Sequence, residues 1–105
     1  MTETEAYAAL ARALQSICPA DFSQAALSVE MEDDWTDKRY QYKVGDTWSL
    51  GQAVDANLDF EADDALHALR AMMRVEGKPA WTHCTFTLNP DGTFNFDVSY
   101  GSPAA

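Results

Sequence analysis

The sequence predicts an α+β fold: one domain in which two helices pack on one face of a mostly antiparallel sheet of four to five strands. Two segments repeat apolar residues at helical spacing, and several others alternate apolar and polar residues as half-buried strands do. A chain of 105 residues that is 47% hydrophobic is long enough for one modest core and too short for two. We therefore expect a single domain over residues 1–105, with 101–105 as a frayed tail.

The first helix is predicted over residues 3–18, where Leu10 and Leu14 lie on its apolar stripe. Thr2 and Glu5 have the spacing of a capping box, in which each side chain bonds the other residue's backbone N–H. Pro19 then ends the helix, because proline lacks the N–H that the next turn requires.

The second helix is predicted over residues 60–76, with Asp59 as its N-cap and Gly77 as its stop. Its apolar positions recur every three or four residues and form one stripe. The members of that stripe are Ala62, Ala65, Leu66, Leu69, Met72 and Met73.

Two strands are predicted between the helices, separated by an acidic loop at residues 33–37. Residues 27–32 alternate with period two, which puts Glu30 and Glu32 on the polar side. Alternation resumes after the loop, with Tyr40, Tyr42 and Val44 facing inward and Arg39, Gln41 and Lys43 outward. The outward rows are opposite in charge, as antiparallel neighbours should be.

The register of the next strand is open to two interpretations. A two-residue turn at Gly45 and Asp46 would put Trp48 and Leu50 on the polar face, whereas a three-residue loop ending at Thr47 would put both inward. A shift of one residue reverses every side chain. We favour the three-residue loop, because it buries Trp48.

A hairpin is predicted over residues 81–100, "WTHCTFTLNPDGTFNFDVSY", around the turn 89–92. Pairing Leu88 with Phe94 also aligns Phe86 with Phe96, Cys84 with Val98 and Thr82 with Tyr100. The opposite face then collects Trp81, His83, Thr85, Thr87, Asn95, Asp97 and Ser99.

No catalytic residue is predicted from this hairpin. Cys84 faces the core and His83 faces away, so the two cannot form a nucleophile and base pair. His83 is within diagonal reach of Asp97, yet no motif places a nucleophile beside them. We interpret His83 as a surface histidine. Cys18 and Cys84 lack the spacing of a zinc or redox motif and are interpreted as buried thiols of a reducing compartment.

No metal or cofactor is predicted either. The glycines form no phosphate-binding fingerprint, and His67 has only Asp63 and Asp64 as neighbours of ligand type at helical spacing. The acidic residues around Asp33 lack the glycine and the closing glutamate of an EF-hand loop. They are interpreted as a solvated charged segment.

The charge of the chain favours a protein partner. Seventeen acidic and seven basic residues give a net charge of −10, which repels nucleic-acid phosphates and anionic lipids and attracts basic surfaces. The N-terminus has no leader pattern, and no window has the roughly 18 apolar residues of a membrane span. We expect a soluble cytoplasmic protein that binds neither nucleic acid nor membrane.

Trp35 is the candidate anchor for that partner. It stands within the acidic segment, where no periodicity requires a core residue, and exposed tryptophans are frequent interface hot spots. The alternative is that Trp35 folds back over the hairpin end as a lid on the core. The candidate partner-binding residues are Trp35, Glu30, Glu32, Asp33, Asp34 and Asp37.

The hairpin resembles the C-terminal signature of the YezG-like immunity proteins of bacterial polymorphic-toxin systems. In that family a Trp opens a strand that leads through an Asp-Gly turn to an aromatic-rich strand ending in Tyr. The matching positions here are Trp81, Asp91, Gly92, Phe94 and Tyr100, and "YQY" at residues 40–42 is a second similarity.

The resemblance implies a small acidic cytosolic protein that neutralises a toxin domain, often a nuclease, by binding it without catalysis. Two alternatives stay open. The order of elements is similar to that of acidic secretion chaperones, although these add a final helix that is not predicted after Tyr100. The polar row around His83 would otherwise serve a small ligand-binding domain or enzyme. The sequence leaves the oligomeric state undetermined.

Overall fold

The computed structural model of the chain describes residues 1–51, 55–74, 76–77 and 79–100. The five strands form one sheet in the order β3-β2-β1-β4-β5, and each neighbouring pair is antiparallel. This confirms the predicted α+β fold, whereas the predicted tail at 101–105 lies outside the described residues. The elements are α1 (Glu3–Gln15), β1 (Gln24–Glu32), β2 (Trp35–Val44), β3 (Thr47–Leu50), α2 (Ala56–Met72), β4 (His83–Leu88) and β5 (Phe94–Ser99).

Helix α1 begins with the predicted capping box. The Glu5 N–H donates to Thr2 Oγ1 over 3.1 Å, and the Thr2 N–H donates to Glu5 Oε1 over 2.8 Å. The helix ends at Gln15 rather than at residue 18, with Ser16 as its C-cap.

Helix α2 begins and ends four residues earlier than predicted. Its N-cap is Asp55, whose carboxylate accepts hydrogen bonds from the N–H groups of Asn57 and Leu58. Asp59 instead lies in the first turn, where a carboxylate favours the positive end of the helix dipole. Asp55 and Asp59 are both residues of cap type, and only the one that reaches two free amides sets the start.

The core lies between the sheet and the two helices. One row of each central strand points toward the helices, and the apolar stripes of α1 and α2 cover these rows. The largest fully buried side chains are Trp81, Phe86, Leu10, Leu14, Leu27, Met31, Leu66, Leu69 and Leu88.

The predicted loop at 33–37 is a two-residue turn. Asp33 and Asp34 form the turn, Glu32 pairs with Trp35, and residues 35–37 belong to β2. The predicted match of opposite charges between the outward rows is therefore wrong. Arg39 faces Ser28, and Glu30 faces a second carboxylate, Asp37.

The preferred register of β3 is also wrong. Val44 pairs with Thr47, so Gly45 and Asp46 make a two-residue turn, and Trp48 faces Lys43 on the polar side. Gly45 has φ +60°, the left-handed conformation that such hairpin turns require at their first central residue. Turn geometry thus decides the register, and the Lys43 ammonium lies 5.9 Å from the Trp48 ring centre, a cation–π contact.

The β4–β5 hairpin has the predicted register over Cys84–Val98, Phe86–Phe96 and Leu88–Phe94. Its turn closes through the Asn89 N–H, which donates to Thr93 O over 2.8 Å, and Gly92 takes φ +91°.

Trp81 departs from the prediction that placed it on the polar face, because it is only 1% exposed and belongs to the core. The Thr82 N–H donates to Ser99 O, although His83 is the registered partner of Ser99. Thr82 and His83 thus both lie opposite Ser99, as in a β-bulge. A bulge shifts the alternation of side chains by one residue. The shift turns Trp81 toward Phe96, whose ring centre is 6.0 Å away.

Candidate interaction surface

The face of the sheet that points away from the helices, here called the open face, is polar at its centre. Its side chains come from the residues that alternate with the core rows. From β2 and β3 it takes Trp35, Asp37, Arg39, Gln41, Lys43, Trp48 and Leu50, and from β1, β4 and β5 it takes Ser28, Glu30, His83, Thr85, Thr87, Asn95, Asp97 and Ser99.

A shallow concavity of about 300 Å³ lies at the centre of the open face, between Glu30, Asp37, Arg39 and His83. His83 Nε2 is 2.9 Å from Glu30 Oε2, and His83 Nδ1 is 2.9 Å from Thr82 Oγ1. His83 thus pairs with Glu30 and not with Asp97, its predicted diagonal partner. His83 lies directly opposite Glu30, whereas Asp97 lies opposite Thr85.

Both ring nitrogens of His83 are therefore engaged, and Ser28 in the same concavity makes no hydrogen bond to either. A serine nucleophile needs a base within hydrogen-bond reach. Cys84 points into the core as predicted, and its burial raises its thiol pKa to about 12, which removes the nucleophilic thiolate at neutral pH. The concavity thus offers recognition groups rather than an assembled nucleophile.

We predict that His83→Ala leaves the fold and the biological activity nearly unchanged. The His83 and Glu30 side chains are both partly exposed, and even a fully charged pair at such an exposed site contributes at most about 1 kcal/mol. Urea titration measures the change in the free energy of unfolding. A folded variant that has lost its activity would reveal a functional histidine.

The acidic segment, residues 30–37, has some members that contact α2 and others that do not. Asp33 pairs with the Arg70 guanidinium of α2, and Glu32 lies 3.7 Å from the same group. The hydrogen bond from Arg70 and the charge of Arg70 hold the pKa of Asp33 below its ordinary value. Arg70 is itself buried and donates through Nε to the carbonyl of Trp81 over 2.8 Å. These two carboxylates therefore fasten the β1–β2 turn to α2.

Trp35 and the other acidic members of the segment are exposed to solvent, as Glu32 and Asp33 also are. Trp35 is 45% exposed at the start of β2, Asp34 stands on the turn, and Asp37 and Glu30 face each other on the open face. The interpretation of Trp35 as a lid on the core is wrong, because its strand position directs it away from the helices. An exposed indole ring thus lies among three solvent-facing carboxylates.

Lys38, next to Asp37, directs its charge to the other side of the sheet. Its ammonium lies 3.3 Å from Asp59 and 3.0 Å from Asp63 of α2. The neighbouring Tyr40 hydroxyl donates to Asp59 over 2.8 Å, and burial together with this carboxylate raises the pKa of Tyr40. Lys38 consequently does little to offset the negative charge around Trp35.

A second apolar group lies on the open face, where the less favoured of the two predicted registers had placed it. Trp48 is 42% exposed and Leu50 is 59% exposed, and both lie on β3, beside the half of β2 farthest from Trp35. The two-residue turn at Gly45 and Asp46 was the signal that would have placed them there.

Within the described parts of the chain, no group of three or more His, Cys, Asp or Glu side chains is arranged to hold a metal ion. Of the two described helices, neither is long and apolar enough to cross a membrane.

Comparison of the chain with models of known protein families finds no match, and comparison with curated proteins finds none either.

Proposed function

We propose that this chain is a non-catalytic, acidic protein-binding domain of the immunity type, which neutralises a basic toxin domain in the cytoplasm by binding it directly. The observation that carries the proposal is the exposed Trp35, which follows Asp34 in sequence and shares the open face with Asp37 and Glu30. The resemblance of residues 81–100 to YezG-like immunity proteins supports the same function. A nuclease is a fitting toxin, since it must present a basic surface to phosphates.

Electrostatics favour this pairing because several of the chain's few cations are already neutralised. Arg70 pairs with Asp33, Lys38 with Asp59 and Asp63, and Arg12 with Glu61 over 3.0 Å. The net charge of −10 therefore acts on an approaching basic surface, although Arg39 and Lys43 also lie on the open face and reduce the attraction locally. Complementary charge of this kind mainly speeds association.

The six candidate residues take different roles in the proposed interface. Trp35 is the anchor, and Asp34, Asp37 and Glu30 meet the cations of the toxin. Glu32 and Asp33 add negative charge, and they also hold the turn that presents Trp35 through their contacts with Arg70. A presenting turn that is already fixed in the free protein lowers the entropic cost of binding.

Association kinetics test the steering role of the carboxylates. We expect Asp34→Asn and Asp37→Asn each to slow association with a basic toxin domain captured by this chain by about two- to tenfold at low salt, with little change in dissociation. At about 0.5 M salt the difference from wild type should largely disappear, because screening removes long-range attraction. Stopped-flow or surface-based kinetics measure both rates.

The matched control is Asp46→Asn, which removes another exposed carboxylate, in the turn after the far end of β2. It should affect association less than the other two variants do. A toxin whose binding ignores both salt and these carboxylates would contradict the proposed interface. Binding of an unfolded secretion substrate, with no protection of cells from any toxin domain, would favour the chaperone alternative.

A further inference from the structure

Among the residues that the structure describes, only part of the outer edge of β2 is paired. β2 has ten residues and β3 has four, and β3 pairs only with residues 41–44. The Gly51 N–H extends the ladder by one bond, to Tyr40 O over 2.8 Å. Among the described residues, no strand lies beside positions 35–39 on this side.

The direction of the backbone groups follows from the alternation of an antiparallel ladder. Tyr40 directs its carbonyl toward β3, whereas Lys43 directs its carbonyl to Ser23 on the side of β1. The backbone N–H and C=O groups of even-numbered residues in β2 therefore point away from β1, toward the outer edge. Thr36 and Lys38 thus present their N–H and C=O groups at the edge, and no backbone bond to these four groups is found within the described part of the chain.

We infer that this half-edge, from Trp35 to Arg39, is the docking site for an extended segment of the partner, which adds a strand in line with β3 and carries Lys or Arg opposite Asp37. The inference rests on the proposed function and specifies its partner. Adding a strand to an exposed sheet edge is an established mode of peptide recognition, with affinity from the backbone and specificity from alternate side chains.

The side chains beside the edge select the chemistry of the incoming strand. On the open face its neighbours are Trp35, Asp37 and Arg39. Asp37 already faces Glu30, so a cation placed beside it relieves the proximity of two carboxylates. An apolar residue two positions away meets the Trp35 ring. The ammonium of Lys38 is held by α2 and does not repel this cation.

The edge of β5 is one competing site, and its side chains suit a basic segment less well. Asp97 is the acidic open-face residue of β5, and on the other face Phe94 packs against Tyr7 at 4.9 Å between ring centres. An edge flanked by aromatic rings suits an apolar strand instead. Binding at the β5 edge is therefore an outcome that would overturn the inference.

Amide hydrogen exchange in the free protein is the first test. We expect the Thr36 and Lys38 amides to exchange rapidly, whereas the Tyr42 amide, which points the same way from the same strand but is covered by β3, exchanges at least tenfold more slowly. Protection of Thr36 and Lys38 in the free protein would mean that the edge is already occupied, and would overturn the inference.

The second test uses a heptapeptide, capped at both ends, that alternates threonine and valine around a central lysine. At twice its dissociation constant it should slow exchange at Thr36 and Lys38 about threefold, since protection scales with one plus the ratio of ligand to dissociation constant. The same peptide with a central glutamate should bind at least tenfold more weakly. Equal binding of both peptides, or protection confined to Phe94, Phe96 and Val98, would overturn the inference.

A backbone variant separates the edge from the side chains. Thr36→Pro removes one outward N–H, which edge strands tolerate, and should weaken the lysine peptide at least tenfold, while Thr36→Val keeps the N–H and the affinity. If Thr36→Pro does not fold, the exchange measurements on wild type and Thr36→Val still show whether the peptide binds at this edge. If a toxin's binding depends on Trp35 but the edge amides still exchange rapidly in the complex, the proposed function stands and this inference is overturned. If the peptide protects the edge amides but no toxin binds, the docking edge stands and the proposed function is overturned.

Discussion

Phe86→Ala is expected to lower the free energy of unfolding by about 3–5 kcal/mol, the usual cost of removing a buried aromatic side chain. Phe86 is 0% exposed at the centre of the helix-facing side of the sheet. Its ring packs near Phe94 and Tyr7, at 5.1 Å and 6.4 Å between ring centres. Truncation therefore removes buried apolar area and leaves a cavity between β4 and α1. Urea denaturation followed by circular dichroism measures the loss.

Phe94→Ala is the matched control, because Phe94 joins the same aromatic group but is 41% exposed. Its truncation should cost clearly less, about 1–2 kcal/mol, since solvent already reaches the ring. A loss below 1 kcal/mol for Phe86→Ala would place that side chain outside the core.

Trp35→Ala is expected to weaken toxin binding by about 2 kcal/mol or more, roughly thirtyfold in the dissociation constant, as truncation of a hot-spot aromatic does. The loss should appear in the dissociation rate, because short-range apolar contact forms after the encounter. Raising ionic strength should leave this deficit in place, which distinguishes it from the effect of the carboxylates.

Trp48→Ala provides the comparison, since Trp48 is a second tryptophan on the open face with nearly the same exposure, 42% against 45%. It lies on β3 beside the end of β2 opposite to Trp35, and its removal should change dissociation little. If the two variants weaken binding equally, the interface covers the whole open face. If only Trp48→Ala weakens it, the anchor has been assigned to the wrong end.

Local chemistry accounts for the parts of the fold that were predicted correctly. The capping box of Thr2 and Glu5 and the register around Phe86 and Phe96 depend on residues close in sequence. Turn residues and strict alternation leave few options over such short distances. Two amphipathic helices and alternating strands then imply helices on one face of the sheet.

The errors arose where local signals compete or where distant residues decide. Asp55 and Asp59 are both good N-caps, and spacing alone did not separate them. The register of Trp48 was assigned by burial, although Gly45 set it through the turn. The bulge opposite Ser99, which buries Trp81, depends on pairing between strands and leaves no mark in the spacing of β4.

The sequence indicated which residue types form the candidate surface, but not how the fold arranges them. The sequence places Trp35 among carboxylates, yet its exposure depends on the two-residue turn before it. Arg70 is 37 residues from Asp33, so nothing local indicates that it would hold that turn. The pairing of His83 with Glu30 likewise requires β4 to lie beside β1.

The sheet separates the residues that stabilise the fold from those proposed to recognise the partner. Phe86, Leu27 and Met31 point to the helices, whereas Trp35, Asp37 and Glu30 point away from them. Substitutions at residues that do not contact each other tend to change the free energy of unfolding additively. During divergence, the open face can therefore acquire a new partner through successive mutations, each nearly neutral for folding. A set of related domains built this way would share a core and differ in their specificity.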